Sequence, residues 1–438
     1  MESYKEFFAG KRITVMGLGL LGRGVGDVAF LANAGAQLTV TDMKTPKQLA
    51  DSLAQLTQYP NITYHLGGHI QNDFTDTDMV IKAAGVRLDS PHIAVATAAN
   101  VPVYMSTAIA AKFAMEMGAQ VIGITGTRGK STVTQMLYWS LTESHDPGTI
   151  HLGGNVRGIS TLALLPHIKK DDILVLELDS WQLQGFGDLC ISPNIAVFTN
   201  LMPDHQNYYK DTDEYFADKA KIFKYQKEGD LLVVGPSIVD RVRAAHPPVS
   251  PVVPDPLLPG WHLMIVGEHN RENAALARAA LESLEEERGI WASLTSFTGV
   301  EGRLQLVSDI NGVKIYNDNN ATTPDATIAA LKALDTGKKN IILICGGADK
   351  GLDMSRMLYE IAKICKRVIC LAGTGTSRII PLMADYSLYD NLVDAVHEAV
   401  RSAIPGDIIL FSPAFASFGI FINEYDRNDQ FVKIVKNL

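Results

Sequence analysis

One stretch of this 438-residue chain carries its sharpest chemical signal: Gly123-Ile124-Thr125-Gly126-Thr127-Arg128-Gly129-Lys130-Ser131-Thr132. The residues before it predict a strand and those after it a helix. Gly126 and Gly129 let the backbone curl so that N–H groups face a phosphate, and a helix N-terminus adds a favourable field for anions. Lys130 can reach β- and γ-phosphates, and the Ser131 hydroxyl can serve Mg²⁺. The common Walker spacing would put glycine at 124, where this chain has isoleucine, so the loop is a variant. A tight surface turn with a chance Gly-Lys-Ser is the competing reading. The coincidence of strand, loop and helix argues for ATP.

Such a site serves a kinase, a hydrolase or a ligase, and the acidic and imidazole partners must decide. Glu177 falls at the carboxyl end of the predicted strand 173–178, where α/β sheets place ligands. Amid apolar neighbours it needs a partner, and Mg²⁺ is a natural one; a solvent-facing strand end is the alternative. Asp204-His205 follows the strand 195–199 and reaches the same edge, with His205 either a metal ligand or a satisfied surface residue. Lys219 lies three or four positions from Tyr215, Phe216, Ile222 and Phe223, so it shares their apolar face. An inward lysine calls for a snorkelling stem, a salt bridge or chemistry. Carbamylation by CO₂ is one chemistry open to it.

The elements around these residues alternate. Strand 12–16, the turn Gly17-Leu18-Gly19-Leu20-Leu21-Gly22, a helix through Ala34 and strand 38–41 ending at Asp42 form a βαβ opening. Alone, that turn reads as a dinucleotide fingerprint. Segments 79–83 and 93–96 read as further strands. Asn311-Gly312 predicts a hairpin, followed by alternating helices and strands. The fold class is α/β with mostly parallel sheets in three domains, 1–108, 109–302 and 303–438.

Composition fits this plan. Hydrophobic residues make up 47% and charged residues 20%, which excludes wholesale disorder and collagen. The net charge of -9 gives no sign of a nucleic-acid surface. The four cysteines match no zinc spacing and read as reduced core or near-core residues. The polar start is no signal peptide and no run is long enough to span a membrane, so a soluble cytoplasmic protein is expected.

Together the pieces resemble the Mur ligase family of ATP-dependent amide-bond ligases, in three blocks covering essentially the whole chain. The resemblance rests on Gly17–Gly22, Gly126–Thr132, Gly153-Gly154-Asn155, Glu177–Leu183, Asn200–His205, Gly267–Asn270 with Asn273, Tyr316–Asp318, Gly346–Lys350 and Ser412–Ala414 with Ala416-Ser417. It implies Rossmann-like first and third domains around a central P-loop-type ATPase fold. It implies ATP and two Mg²⁺, with Ser131 and Glu177 on one ion, and His205 and an N6-carboxylated Lys219 on the other. Lys130 is implied as the phosphate lysine, and Gly126–Thr132, Asn270, Asn273 and Asp318 as nucleotide contacts. The substrates implied are UDP-N-acetylmuramoyl-L-alanine, gripped by Gly17, Leu18, Gly19, Leu20, Asp42, Lys44, Gly67 and Asn155, and D-glutamate, held by Lys350, Ser417 and Phe418. Monomer is the family default.

Several positions depart from the family pattern: Arg128 for asparagine, Ala83-Ala84-Gly85 for Ser-Pro-Gly, Asn319-Asn320 for Ser-Lys, and Glu424 near an expected aromatic. They cluster at the substrate ends, so ligation is firmer than the identity of the amino acid. The alternatives are a sister ligase with another amino acid, a noncatalytic nucleotide-binding relative and an NAD-dependent dehydrogenase. The dehydrogenase reading leaves the second phosphate loop without a role.

Overall fold

A computed structural model describes residues 3–20, 22–204, 208–284 and 287–438. The chain folds as two compact units: Met1–Leu257 with Glu272–Ser293, and Leu258–Arg271 with Leu294–Leu438.

The first unit holds two parallel sheets. One contains β1 (Arg12–Met16), β2 (Gln37–Asp42), β3 (Ile62–Leu66), β4 (Met79–Lys82) and β5 (Val103–Tyr104), in the order β3-β2-β1-β4-β5. The other contains β6 (Gln120–Thr125), β7 (Ile150–Gly154), β8 (Ile173–Glu177), β9 (Ile195–Phe198) and β10 (Leu231–Val234), ordered β10-β9-β6-β8-β7. The near-continuous apolar runs of β6 and β8 are what strands covered on both faces require. Strand β6 lies at the centre, so its carboxyl end opens into the middle of the sheet edge.

The second unit carries one sheet of β11 (Gln305–Ile310), β12 (Val313–Asn317), β13 (Ile341–Gly346), β14 (Cys365–Leu371), β15 (Ser387–Tyr389) and β16 (Ile408–Phe411), ordered β11-β12-β16-β13-β14-β15. Only β11–β12 is antiparallel, closed by Asn311 and Gly312 at φ +51° and +80° as a hairpin turn of this kind demands. Separate apolar clusters cover its two faces.

Two expectations are corrected. Segment 93–96 is not a strand but part of the helix Pro91–Ala98. Pro91 sits in its first turn, and Ile93 and Ala96, three apart, are its buried residues; a short apolar run does not separate the two periods. Cys190 is exposed rather than near-core, whereas Cys345, Cys365 and Cys370 are buried thiols. No described helix is long and apolar enough to cross a membrane.

Candidate active site

Strand β6 delivers the phosphate loop. Its helix, Lys130–Ser144, starts at Gly129, whose φ of +82° is left-handed. A Cβ on Gly129 would come within 2.4 Å of the Asn273 side-chain oxygen, and one on Gly126 within 2.0 Å of the Thr199 hydroxyl. The segment after β9 sets the curl. Asn200 accepts the Thr127 N–H on its backbone oxygen and the Arg128 N–H on its side-chain oxygen, each at 2.9 Å. The Thr127 hydroxyl donates to the Met202 carbonyl and accepts the Met202 N–H. Two of the loop's N–H groups thus hold its shape rather than face a phosphate. The ammonium of Lys130 donates to the carbonyls of Gly126 and Thr127 at 3.0 and 3.1 Å. Thr132 is buried, Ser131 half-buried and Arg128 exposed.

Lys219 stands on the helix Thr212–Lys224, capped by the Asp211 carboxylate. It is 1% exposed. Its Nζ donates to the Gly126 carbonyl at 2.9 Å and the Thr125 hydroxyl at 3.3 Å, and lies 4.7 Å from the Tyr215 ring centre. Burial, and then the nearby Lys130 charge, holds its pKa well below the usual lysine range.

Glu177 ends β8 in register between Ile124 and Gly154 and is 7% exposed. The next turn fixes it there. Asp179 and Gln182 form a reciprocal capping box that starts the helix Ser180–Asp188 directly after the strand. The Glu177 carbonyl accepts the Asn155 N–H at 2.7 Å. Its carboxylate has no protein partner among the described residues, the condition under which a buried anion calls for a cation. The Glu177 carboxylate and the Ser131 hydroxyl are oxygen donors of the kind Mg²⁺ takes, whereas Lys219 as an amine is not; no ready-made cluster of three or more His, Cys, Asp or Glu occurs among the described residues. His205 lies outside the described residues.

In the first sheet, Gly17 and Gly19 are left-handed at φ +96° and +68°. The Gly19 N–H donates to the Asp42 carboxylate at 3.1 Å, and the Lys44 N–H to its other oxygen at 2.8 Å. The Gly67 N–H reaches the carbonyls of Asp42 and Lys44. Leu18 is buried, Leu20 exposed, and the Lys44 ammonium lies 3.9 Å from Asp42. Arg23, which sequence reasoning missed, donates to the side-chain oxygen of Asn155 at 2.9 Å. Its only sequence signal is its place directly after the glycine turn.

In the second unit Lys350, Ser417 and Phe418 line one pocket of about 320 Å³ together with Arg303, Asn320 and Glu424. The Lys350 ammonium donates to the Thr322 hydroxyl. Asp318 is buried, accepting from the Ser412 hydroxyl and the Leu304 N–H, and burial raises its pKa to about 7. Asn270 donates to the Val266 carbonyl, while Asn273, in the first unit, packs against Gly129.

A P-loop-like strand–loop–helix, a carboxylate with no protein partner among the described residues and a buried lysine that donates to the loop have the layout of a nucleoside-triphosphate site. The sequence description "Mur ligase middle domain" matches 124–245, "Mur ligase, glutamate ligase domain" matches 302–415, and "Mur ligase MurD-like, N-terminal domain" matches 11–105. Two UDP-N-acetylmuramoylalanine--D-glutamate ligases are similar throughout: that of Borreliella burgdorferi is 34% identical over 97% of each chain, and that of Roseiflexus sp. 35% identical over 98% of this chain and 99% of its own. The chain belongs to the Mur ligase family. Solved structures with this fold include the UDP-N-acetylmuramate-alanine ligase MurC of Thermotoga maritima (TM-score 0.62, 18% identity, 98% of this chain and 99% of that one). Another is the MurF ligase of the same organism in complex with ADP (TM-score 0.57, 17% identity, 91% and 95%).

Proposed function

We propose that the protein joins D-glutamate to the alanyl carboxylate of UDP-N-acetylmuramoyl-L-alanine at the expense of ATP, in peptidoglycan precursor synthesis, acting as a cytoplasmic monomer. The observation that carries this is full-length similarity to ligases named for that reaction, in a chain whose central sheet edge gathers the phosphate loop, Glu177 and Lys219.

A carboxylate is a poor electrophile because oxide is a poor leaving group. One oxygen of the acceptor carboxylate attacks the γ-phosphorus and ADP leaves, giving an acyl phosphate. The glutamate nitrogen attacks that carbonyl carbon, the tetrahedral species expels phosphate, and the nitrogen loses a proton. The protein offers no covalent nucleophile; it orients anions and neutralises charge as it develops. Lys130 swings from the loop carbonyls to the phosphates. Glu177, Ser131, His205 and a carboxylated Lys219 would hold two Mg²⁺, which would supply positive charge against the phosphates. Lys350, Ser417 and Phe418 hold the amino acid, and a cation beside its carboxylate is the expected partner. The three domains span 1–108, 109–302 and 303–438.

The pocket's Glu424 and Asn320 favour one second reading, a sister ligase with a different amino acid. An amino-acid panel with ATP, Mg²⁺ and UDP-N-acetylmuramoyl-L-alanine, read as phosphate release and product mass, separates the two. D-glutamate should give the amide and the most phosphate; no bond with D-glutamate sinks the first reading.

A further inference from the structure

Arg23 opens the helix Arg23–Asn33, which lies on the segment after β7. A Cβ on Gly26 would come within 2.6 Å of the Ser160 Cβ, and one on Gly22 within 3.4 Å of the Gly158 Cα. The Asp27 carboxylate accepts the Ser160 hydroxyl at 2.6 Å. These close approaches bring half-buried Arg23 to Asn155, whose backbone N–H is held by the Glu177 carbonyl. A chain of hydrogen bonds therefore runs from the glycine-rich turn to the strand end that bears Glu177.

The direction of the middle bond matters. A guanidinium can only donate, so Asn155 must turn its side-chain oxygen to Arg23 and its NH₂ the other way. Among the described residues that NH₂ meets no acceptor, and Arg23 makes no ion pair. Both side chains are half-buried, and although Arg23 also acts on the Asp27 charge one turn along its helix, each has donors left for an anion from outside the protein.

We propose that Arg23 is a positioning residue for the acceptor carboxylate. It acts through Asn155, locking that side chain with its amide donors towards the carboxylate. This rests on the reading of the nucleotide-sugar acid as acceptor. Without Arg23 the Asn155 amide is free to flip and present oxygen to oxygen.

The test compares UDP-N-acetylmuramoyl-L-alanine with its alaninamide, which lacks the charge, on the full chain. Arg23→Leu should raise the KM for the acid roughly 10- to 100-fold, the range of a charge-assisted hydrogen bond. The KM values for ATP and amino acid should hold, and the binding preference for acid over amide should shrink. Arg23→Lys should restore part of that preference. Asn155→Ala should give the same loss, with Arg23→Leu adding little on top of it. An unchanged acid-over-amide preference in Arg23→Leu, or losses that simply add in the double variant, overturns the inference. So does a uniform rise in all three KM values, the mark of a purely structural role. A wild type that forms no amide with this acceptor overturns the functional reading itself.

Discussion

An amine buried against a carbonyl and a hydroxyl is harder to protonate than one in water, because burial raises the energy of the charged form. Lys219 is in that position, and the neighbouring Lys130 charge pushes the same way. Its neutral form is therefore more populated near neutral pH than that of a solvated lysine, and only the neutral amine attacks CO₂. Lys219→Ala should lose most ligase activity, with partial rescue by added formate or acetate. Full activity without a rescuing anion would reject the carbamate. Carbon-13 NMR of enzyme in labelled bicarbonate checks the adduct directly. The inward direction of Lys219 was legible from its spacing to Tyr215 and Ile222. The carbonyl and hydroxyl it meets were not, since they lie more than ninety residues away in sequence.

The phosphate loop works as an element, not as a motif alone. Its glycines were legible from composition; that Gly129 also makes room for Asn273 was not. Gly129→Ala adds a side chain at a left-handed φ and a clash with Asn273. It should cost on the order of 1–2 kcal/mol or more locally and weaken ATP binding at least tenfold in a titration. Asn200→Ala removes the clamp on the exposed Arg128 N–H, a loss of about 0.5–1.5 kcal/mol, and should likewise weaken ATP binding. Unchanged nucleotide affinity in both would show that the clamp does not set the loop. At the same scale the hairpin at Asn311-Gly312 was readable because its turn chemistry is local. The helix Pro91–Ala98 was misread because a short apolar run carries no decisive period.

At the scale of the whole molecule, the first unit joins its two sheets through buried polar groups, and one of them makes stability depend on pH. Burial lifts the Asp27 pKa from 3.8 to about 6, against the lowering pull of its hydrogen bond to Ser160. Between those values the unfolded chain releases this proton while the folded one keeps it. Asp27 thus contributes most below pH 4, and that contribution falls away as pH rises towards 6. Relative to wild type, Asp27→Asn should gain stability over that interval, by about 3 kcal/mol at full effect, and change little above it. Urea unfolding across the pH range measures this; a flat difference would show that Asp27 does not titrate so.

By itself the sequence determined the βα alternation, the phosphate loop, the antiparallel hairpin and the inward lysine. Each is set by spacing within one or two turns of chain, where period, glycine and capping chemistry act. Only the tertiary structure decided that Asn200 clamps the loop from 72 residues away, and that Arg23 orients Asn155 from 132 residues away. It also decided that Lys350, Ser417, Asn320 and Glu424 share one pocket. Such meetings depend on which strand ends the sheet order brings side by side, and strand order leaves no period in the sequence.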